Sequence, residues 1–125
     1  MMLSEELYPQ RVFYYFEQIA AIPHGSRNTK AISDFLVNFA KEHNLVWYQD
    51  ENNNVVIVKE ASAGYEAAEP IIIQGHMDMV CEKEKGVDID FEKDGLKLYI
   101  DGDFLKAEGT TLGGDDGIAV AYALA

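Results

Sequence analysis

The sequence predicts an α/β fold, in which helices pack on a sheet. Apolar residues recur at helical spacing in two segments near the N-terminus, and short β-branched and aromatic runs follow them. A third observation is the apolar run at residues 70–80, which ends in a histidine and an aspartate. Helices, strands and a final helix in this order are typical of a layered α/β domain.

Two helices are predicted first. One runs from Gln10 to the residues before Pro23, because a proline disfavours helical backbone in the residue that precedes it. The other covers residues 29–42. Helical spacing predicts these buried stripes: Val12, Phe13, Phe16, Ile19 and Ala20 in the first helix, and Ile32, Phe35, Leu36 and Phe39 in the second.

Two hairpins and one central strand are predicted next. Residues 45–49 and 55–58 flank an asparagine turn, and residues 96–100 and 104–107 flank Asp-Gly-Asp, a strong hairpin signal. Ile71–Ile73, bounded by proline and glycine, predict a strand buried on both faces. Residues 61–69 and 82–95 are predicted to be surface loops.

Composition narrows the class of protein. The 125 residues carry 22 acidic and 10 basic side chains, a net charge of −12, which argues against nucleic acid and anionic membranes as partners. No apolar stretch approaches the roughly 20 residues that span a bilayer. The N-terminus lacks the pattern of a signal peptide, and Cys81 is the only cysteine. We therefore expect a soluble, cytoplasmic chain.

The last helix is predicted to begin at Gly117. It reaches Ala125 with no glycine, proline or basic residue to end it. The expectation is that the chain is part of a longer protein.

His76 and Asp78 are the first candidates for chemistry. Residues two apart on a strand face the same side, so an imidazole that can bind zinc stands beside a carboxylate that can orient it. The alternative is a hydrogen-bonded histidine at the end of a strand, without a metal.

The glycine-rich run at residues 113–117 is the second candidate, because it places Asp115 and Asp116 at the start of a helix. Carboxylates there suit a divalent metal, or they cap the helix and interact with its dipole. A phosphate-binding loop is discounted, because no lysine follows.

Five further residues are assigned no chemical role. His24 and His43 are predicted to be surface or capping residues, and Cys81 a partly buried thiol. Met77 and Met79 are predicted to face the core.

Gly75-His76-Met77-Asp78-Met79-Val80 and the later run Gly109-Thr-Thr-Leu-Gly-Gly-Asp-Asp-Gly117 together resemble the N-terminal part of aminoacyl-histidine dipeptidases. These are two-zinc exopeptidases related to aminoacylases and glutamate carboxypeptidases. The resemblance covers essentially the whole chain. It implies that residues 1–125 are the N-terminal portion of a zinc-peptidase catalytic domain, with helices on a mixed, mostly parallel sheet and the lid domain absent.

The resemblance also implies roles for single residues. His76 resembles the histidine that binds one zinc, and Asp115 the carboxylate that bridges both. Asp78 resembles the catalytic aspartate that orients the site without ligating. The bond after the bridging aspartate is typically cis in the family, where Asn or Glu often stands in place of Asp116.

By the same resemblance the cofactors are two Zn²⁺, which Co²⁺ or Mn²⁺ can replace, and the substrate is a Xaa-His dipeptide. The family's general-base glutamate and the remaining ligands lie downstream of residue 125, so the chain alone is expected to be inactive. A homodimer of the full-length protein is left open. The alternatives are another two-zinc exopeptidase or deacylase, such as a tripeptidase or aminoacylase, and a non-catalytic module with half a metal site.

Overall fold

The computed structural model describes residues 2–125 and contains helices and short strands. The helices are a 3₁₀ turn, Leu3–Glu6, followed by α1 (Gln10–Ala21), α2 (Lys30–Glu42) and α3 (Gly114–Leu124). The strands are β1 (Val46–Gln49), β2 (Val55–Val58), β3 (Leu98–Asp101) and β4 (Phe104–Ala107). The chain forms two compact units: one holds the residues up to Ile32 together with Gln74–Ala125, the other Ser33–Ile73.

In the first unit, α1 packs against α3. A Cβ added at Gly117 would lie 3.3 Å from Phe16 Cε2, so the glycine lets the two helices approach closely. Tyr15 is buried where Phe13, which is half-buried, was expected. These residues of the two helices are buried: Val12, Tyr15, Phe16, Ile19, Ala20, Gly117, Ala121 and Leu124.

The β3–β4 hairpin is joined to the end of α1. Its antiparallel register pairs Leu98 with Ala107, as the Asp-Gly signal predicted. Leu96 N–H donates to the Ala20 carbonyl at 2.9 Å. Gly95 permits this contact, because a Cβ there would stand 2.5 Å from the carbonyl oxygen of Ala21.

In the second unit, polar contacts join α2 to the β1–β2 hairpin. Ser33 Oγ donates to the carbonyl of Asn53 at 2.8 Å. The Gln49 amide donates to Ser33 Oγ at 2.8 Å and to Asp34 Oδ1 at 2.9 Å. The predicted hairpin and turn are therefore confirmed, and the turn lies on the first residues of this helix.

The sheet differs from the expected one. The structure confirms a mixed α/β class, but both sheets are two-stranded and antiparallel. Across residues 2–125, the parallel pairing is one isolated bridge, between Gly25 and Met79. The predicted mostly parallel sheet is thus not confirmed.

The prediction of a buried strand at Ile71–Ile73 is wrong for this structure. The three side chains are 87, 88 and 68% exposed, and the segment has no strand assignment. A strand needs a neighbour to satisfy its backbone N–H and C=O groups, and none of the strands formed by residues 2–125 pairs with this segment. An apolar run alone therefore does not make this segment a buried strand, because burial also requires a partner strand.

Residues 61–69 are exposed throughout, and residues 82–95 contain no named helix or strand and are mostly exposed. Both surface-loop predictions are confirmed. The last helix also follows its prediction, since the backbone becomes regularly helical from Gly117, after non-helical angles at Asp115 and Asp116.

Candidate metal centre

The candidate site forms where the segment after the exposed isoleucines meets the start of α3. Both stretches belong to the first unit. Met79 makes a parallel bridge to Gly25, which holds the segment against the loop that follows α1. The helix start brings Asp115, which is 39 residues away in sequence, next to His76.

His76 lies between two carboxylates. Its Nδ1 is 3.0 Å from Asp78 Oδ1 and 3.0 Å from the Asp78 carbonyl oxygen. Its Nε2 is 3.0 Å from Asp115 Oδ1. Nδ1 and Nε2 both face oxygen acceptors, so in the protonated ring each nitrogen donates a hydrogen bond. The neutral ring keeps one proton; two acceptor oxygens face Nδ1 and one faces Nε2, so we assign this proton to Nδ1, which leaves the Nε2 lone pair free for a cation.

The backbone at the start of α3 presents Asp115 outwards. Gly113 precedes the helix with φ of 73°, and the Asp115–Asp116 peptide bond is cis, as the resemblance implied. The Asp115 side chain is 94% exposed and that of His76 is 53% exposed. The two donor groups are therefore open to solvent and to an incoming cation.

Asp116 fixes the backbone of the histidine. Its Oδ2 accepts the backbone N–H of His76 at 3.2 Å. A Cβ at Gly75 would stand 2.9 Å from the same oxygen, so this contact requires the glycine. The sequence predicts Asp116 as a metal-binding or helix-capping carboxylate and does not indicate this contact with the His76 backbone.

A third carboxylate contact was also missed. Ser26 Oγ donates to Asp78 Oδ2 at 2.6 Å across a sequence separation of 52 residues. The two oxygens of Asp78 thus have different partners: Oδ2 accepts from Ser26 and Oδ1 from His76. The sequence offers one local signal for Ser26, its place in the loop at residues 22–26 that follows the first helix.

The site's charges shift two pKa values. The pKa of His76 is raised, chiefly by its hydrogen bond to Asp115 and further by Asp78. The pKa of Asp78 is lowered, chiefly by the hydrogen bond from Ser26 and then by His76. Both shifts favour the charged forms, so a proton and a metal cation would compete for Nε2.

His24 is buried beneath the site, against the prediction of a surface or capping residue. It is 3% exposed, and burial lowers its pKa. Its Nδ1 lies 2.6 Å from the Ile22 carbonyl, which fixes the ring. A Cβ at Gly113 would stand 3.0 Å from Met79 Sδ and 3.3 Å from His24 Nε2, so the ring supports the glycine-rich loop from below.

The other predictions fare differently. Met79 is buried, as predicted, but Met77 is only half-buried. His43 ends α2, stacks on Phe39 and lies with its Nδ1 2.9 Å from the Phe39 carbonyl, which confirms its capping role. Cys81 is a partly buried free thiol, as predicted.

The donor set fits part of a zinc site. An imidazole nitrogen and a carboxylate are ordinary zinc ligands, and a structural or catalytic site needs three or four protein ligands. Within residues 2–125, no group of three or more histidine, cysteine, aspartate or glutamate side chains is arranged to hold a metal ion. The described residues thus supply two donors, His76 Nε2 and Asp115, and the outer contacts that orient them.

The chain was compared with known proteins by sequence and by structure, and both comparisons found dipeptidases. No family model matches the chain. It is 42% identical over 120 residues to the cytosol non-specific dipeptidase of Escherichia coli, across 96% of this chain and 25% of that protein. It superposes with a TM-score of 0.93 and 37% identity on the crystal structure of an aminoacylhistidine dipeptidase from Vibrio alginolyticus, covering 97% of this chain and 25% of that one.

This chain is homologous to the N-terminal part of these dipeptidases. It spans about a quarter of the length of each dipeptidase it matches. Both relatives are named as dipeptidases. The name of the E. coli relative also places that protein in the cytosol. Among residues 2–125, the helices are too short to cross a membrane.

Proposed function

We propose that this chain supplies part of the two-zinc centre of a dipeptidase, with His76 as a ligand of one zinc and Asp115 as the bridging ligand. One observation carries the proposal: His76 Nε2 and Asp115 Oδ1 converge to 3.0 Å, while Asp78 engages the opposite ring nitrogen. Homology to two dipeptidases supports the same reading.

Residues of this chain orient His76 and give the site its negative charge. Asp78 accepts the Nδ1 proton, so the Nε2 lone pair is directed at the cation position. Asp116 and Gly75 hold the histidine backbone near Asp115. When bound, two zinc ions, or cobalt or manganese in their place, lower the pKa of a water molecule and polarise the scissile carbonyl.

The chain on its own is proposed to be inactive. His76 and Asp115 are two donors where a zinc site needs three or four protein ligands, and the general-base glutamate of the family is not among the assigned residues. Purified chain with excess Zn²⁺ or Mn²⁺ is expected to leave alanyl-histidine intact over hours. Hydrolysis above the rate of a His76→Ala variant would contradict this.

The substrate class is proposed to be dipeptides. One relative is named non-specific and the other aminoacylhistidine dipeptidase, so the proposal includes Xaa-His dipeptides without restriction to them. The test is a protein in which residues 1–125 replace the corresponding quarter of the E. coli relative. It should cleave alanyl-histidine and alanyl-alanine. Cleavage of tripeptides or N-acyl amino acids instead would favour a tripeptidase or deacylase.

The metal ligands can be tested directly in this chain. It contains three histidines, so ¹⁵N NMR of the imidazole rings resolves each one. We expect added Zn²⁺ to shift the His76 Nε2 resonance and to leave His24 and His43 unchanged. His24 is buried and His43 Nδ1 caps a helix, so both serve as internal controls.

Two variants complete this test. Asp115→Asn should weaken Zn²⁺ binding at His76 by roughly 10-fold or more, because a charged ligand is lost. His43→Gln, which removes an exposed histidine outside the site, should bind as the unsubstituted chain does. No shift at His76 with excess Zn²⁺ would overturn the proposed ligand role. Tight binding with one zinc per chain would favour a self-contained binding module over part of a catalytic centre.

A cytoplasmic location is proposed with this function, in line with the cytosolic relative and the single cysteine.

A further inference from the structure

The loop after α1 is held in register with the segment that carries Asp78. Met79 N–H donates to the His24 carbonyl at 2.9 Å, and Ser26 N–H donates to the Met79 carbonyl at 3.2 Å. A Cβ at Gly25 would stand 2.8 Å from Cys81 Sγ, so this close approach requires glycine. The two backbone hydrogen bonds fix Ser26 directly beside Asp78.

The Ser26 hydroxyl then selects the orientation of the Asp78 carboxylate. Its 2.6 Å hydrogen bond occupies Oδ2, and a carboxylate turned out of its present plane about the Cβ–Cγ bond would weaken both this contact and the one to His76. Hydrogen bonds to charged groups are short and about twice as strong as neutral ones. Ser26, Asp78 and His76 therefore form a chain that runs from a backbone-anchored loop to the imidazole.

We propose that Ser26 is a positioning residue for the metal centre: it holds the Asp78 carboxylate in the rotamer that receives the His76 Nδ1 proton and thereby aims Nε2. The proposal rests on the proposed ligand role of His76. Ser26 Oγ contacts the Asp78 carboxylate and the Met79 carbonyl rather than either proposed ligand. Its effect is exerted through Asp78, and this distinguishes it from a residue that only stabilises the loop.

Partners of ligating histidines typically alter metal affinity by 10- to 100-fold when they are removed. Ser26 is one contact further out, and the Asp78 carbonyl oxygen remains 3.0 Å from Nδ1 as a second acceptor. Removing the Ser26 hydroxyl should therefore lower the affinity for Zn²⁺ by about 10-fold, the smaller end of that range.

The experiment uses the whole 125-residue chain, with Zn²⁺ alone as the probe. Binding is followed at the His76 ¹⁵N resonances for Ser26→Ala and Ser26→Thr. The alanine variant should bind Zn²⁺ about 10-fold more weakly. The threonine variant should bind close to the unsubstituted chain, because it keeps the hydroxyl and residue 26 is exposed enough to take a methyl group. Ser62→Ala, in an exposed loop, is the matched control and should have no effect.

A double-mutant cycle tests whether Ser26 acts through Asp78. In an Asp78→Ala background, Ser26→Ala should cause no further loss of Zn²⁺ affinity. An equal loss in both backgrounds would overturn the proposal and indicate a general structural role. So would an alanine variant that binds as tightly as the unsubstituted chain.

A second readout needs no metal. At a pH where the His76 ring is neutral, its ¹⁵N shifts report which nitrogen bears the proton. Ser26→Ala should increase the Nε2–H form, because Asp78 no longer holds the proton on Nδ1. Failure of Zn²⁺ to reach His76 in the unsubstituted chain would count against the proposed function. An unchanged tautomer population in Ser26→Ala would count against the role of Ser26.

Discussion

At position 24, burial changes the chemistry of a residue that the sequence places in a loop. The His24 ring is 3% exposed, and its desolvation lowers its pKa, with the Ile22 carbonyl and Asp78 acting in the opposite direction. The unfolded chain has an ordinary histidine pKa of about 6.5. Below that pH the unfolded state therefore binds a proton that the folded state binds less readily.

The consequence is a pH-dependent stability. His24 contributes stability that is complete above about pH 6.5 and is lost as pH falls towards its lowered native pKa, at up to about 1.4 kcal/mol per pH unit. His24→Gln should reduce this loss between pH 7 and pH 5, measured by urea unfolding at each pH. His43→Gln is the control, since His43 is exposed. An identical pH profile in His24→Gln and the unsubstituted chain would contradict the prediction.

At the scale of elements, the α1–α3 contact positions Asp115. The regular turns of α3 begin at Gly117, which packs on Phe16 and lies two residues after Asp115. Phe16 is 3% exposed, so it fills the interface between the two helices. The position of Asp115 in the candidate site therefore depends on an apolar contact between two helices.

Phe16→Ala should destabilise the chain by about 3–5 kcal/mol, because it removes a large buried side chain and leaves a cavity. Thermal or urea unfolding monitored by circular dichroism measures the loss. Tyr122→Ala is the control on α3, since Tyr122 is 60% exposed and its truncation should cost less than about 0.5 kcal/mol. Similar losses of unfolding free energy in the two variants would show that the α1–α3 interface contributes little to stability.

At the scale of the whole molecule, apolar side chains remain on the surface of the second unit. Ile71, Ile72 and Ile73 are all more than two-thirds exposed, and four residues on one face of the β1–β2 hairpin are exposed as well. Those four are Val46, Tyr48, Val56 and Val58. Exposed apolar side chains in such number favour association between molecules.

Ile72→Ser should therefore raise the concentration at which the chain stays monomeric and change its free energy of unfolding by less than about 0.5 kcal/mol. Light scattering and urea unfolding measure the two effects. Ile32→Ser is the contrasting control, since Ile32 is 0% exposed and its loss should cost several-fold more stability. Equal destabilisation by both substitutions would mean that the isoleucine segment is buried in solution.

Much of the local structure followed from the sequence. Helix α1, helix α2 and both hairpins were predicted within a few residues, because apolar spacing and the Asn-rich and Asp-Gly turns act over short distances. The family resemblance implies that His76 and Asp115 belong to one site, and in the structure His76 Nε2 lies 3.0 Å from Asp115 Oδ1. Their role as metal ligands stays a prediction.

The tertiary structure alone decided the rest. Ser26 reaches Asp78 across 52 residues, and His24 is buried under a glycine-rich loop that lies some ninety residues further along the chain. No local pattern encodes such contacts, because they depend on how distant segments pack. The exposure of Ile71–Ile73 has the same origin: an apolar run determines that a segment can be a buried strand, whereas only a neighbouring strand, supplying hydrogen bonds and cover, makes it one.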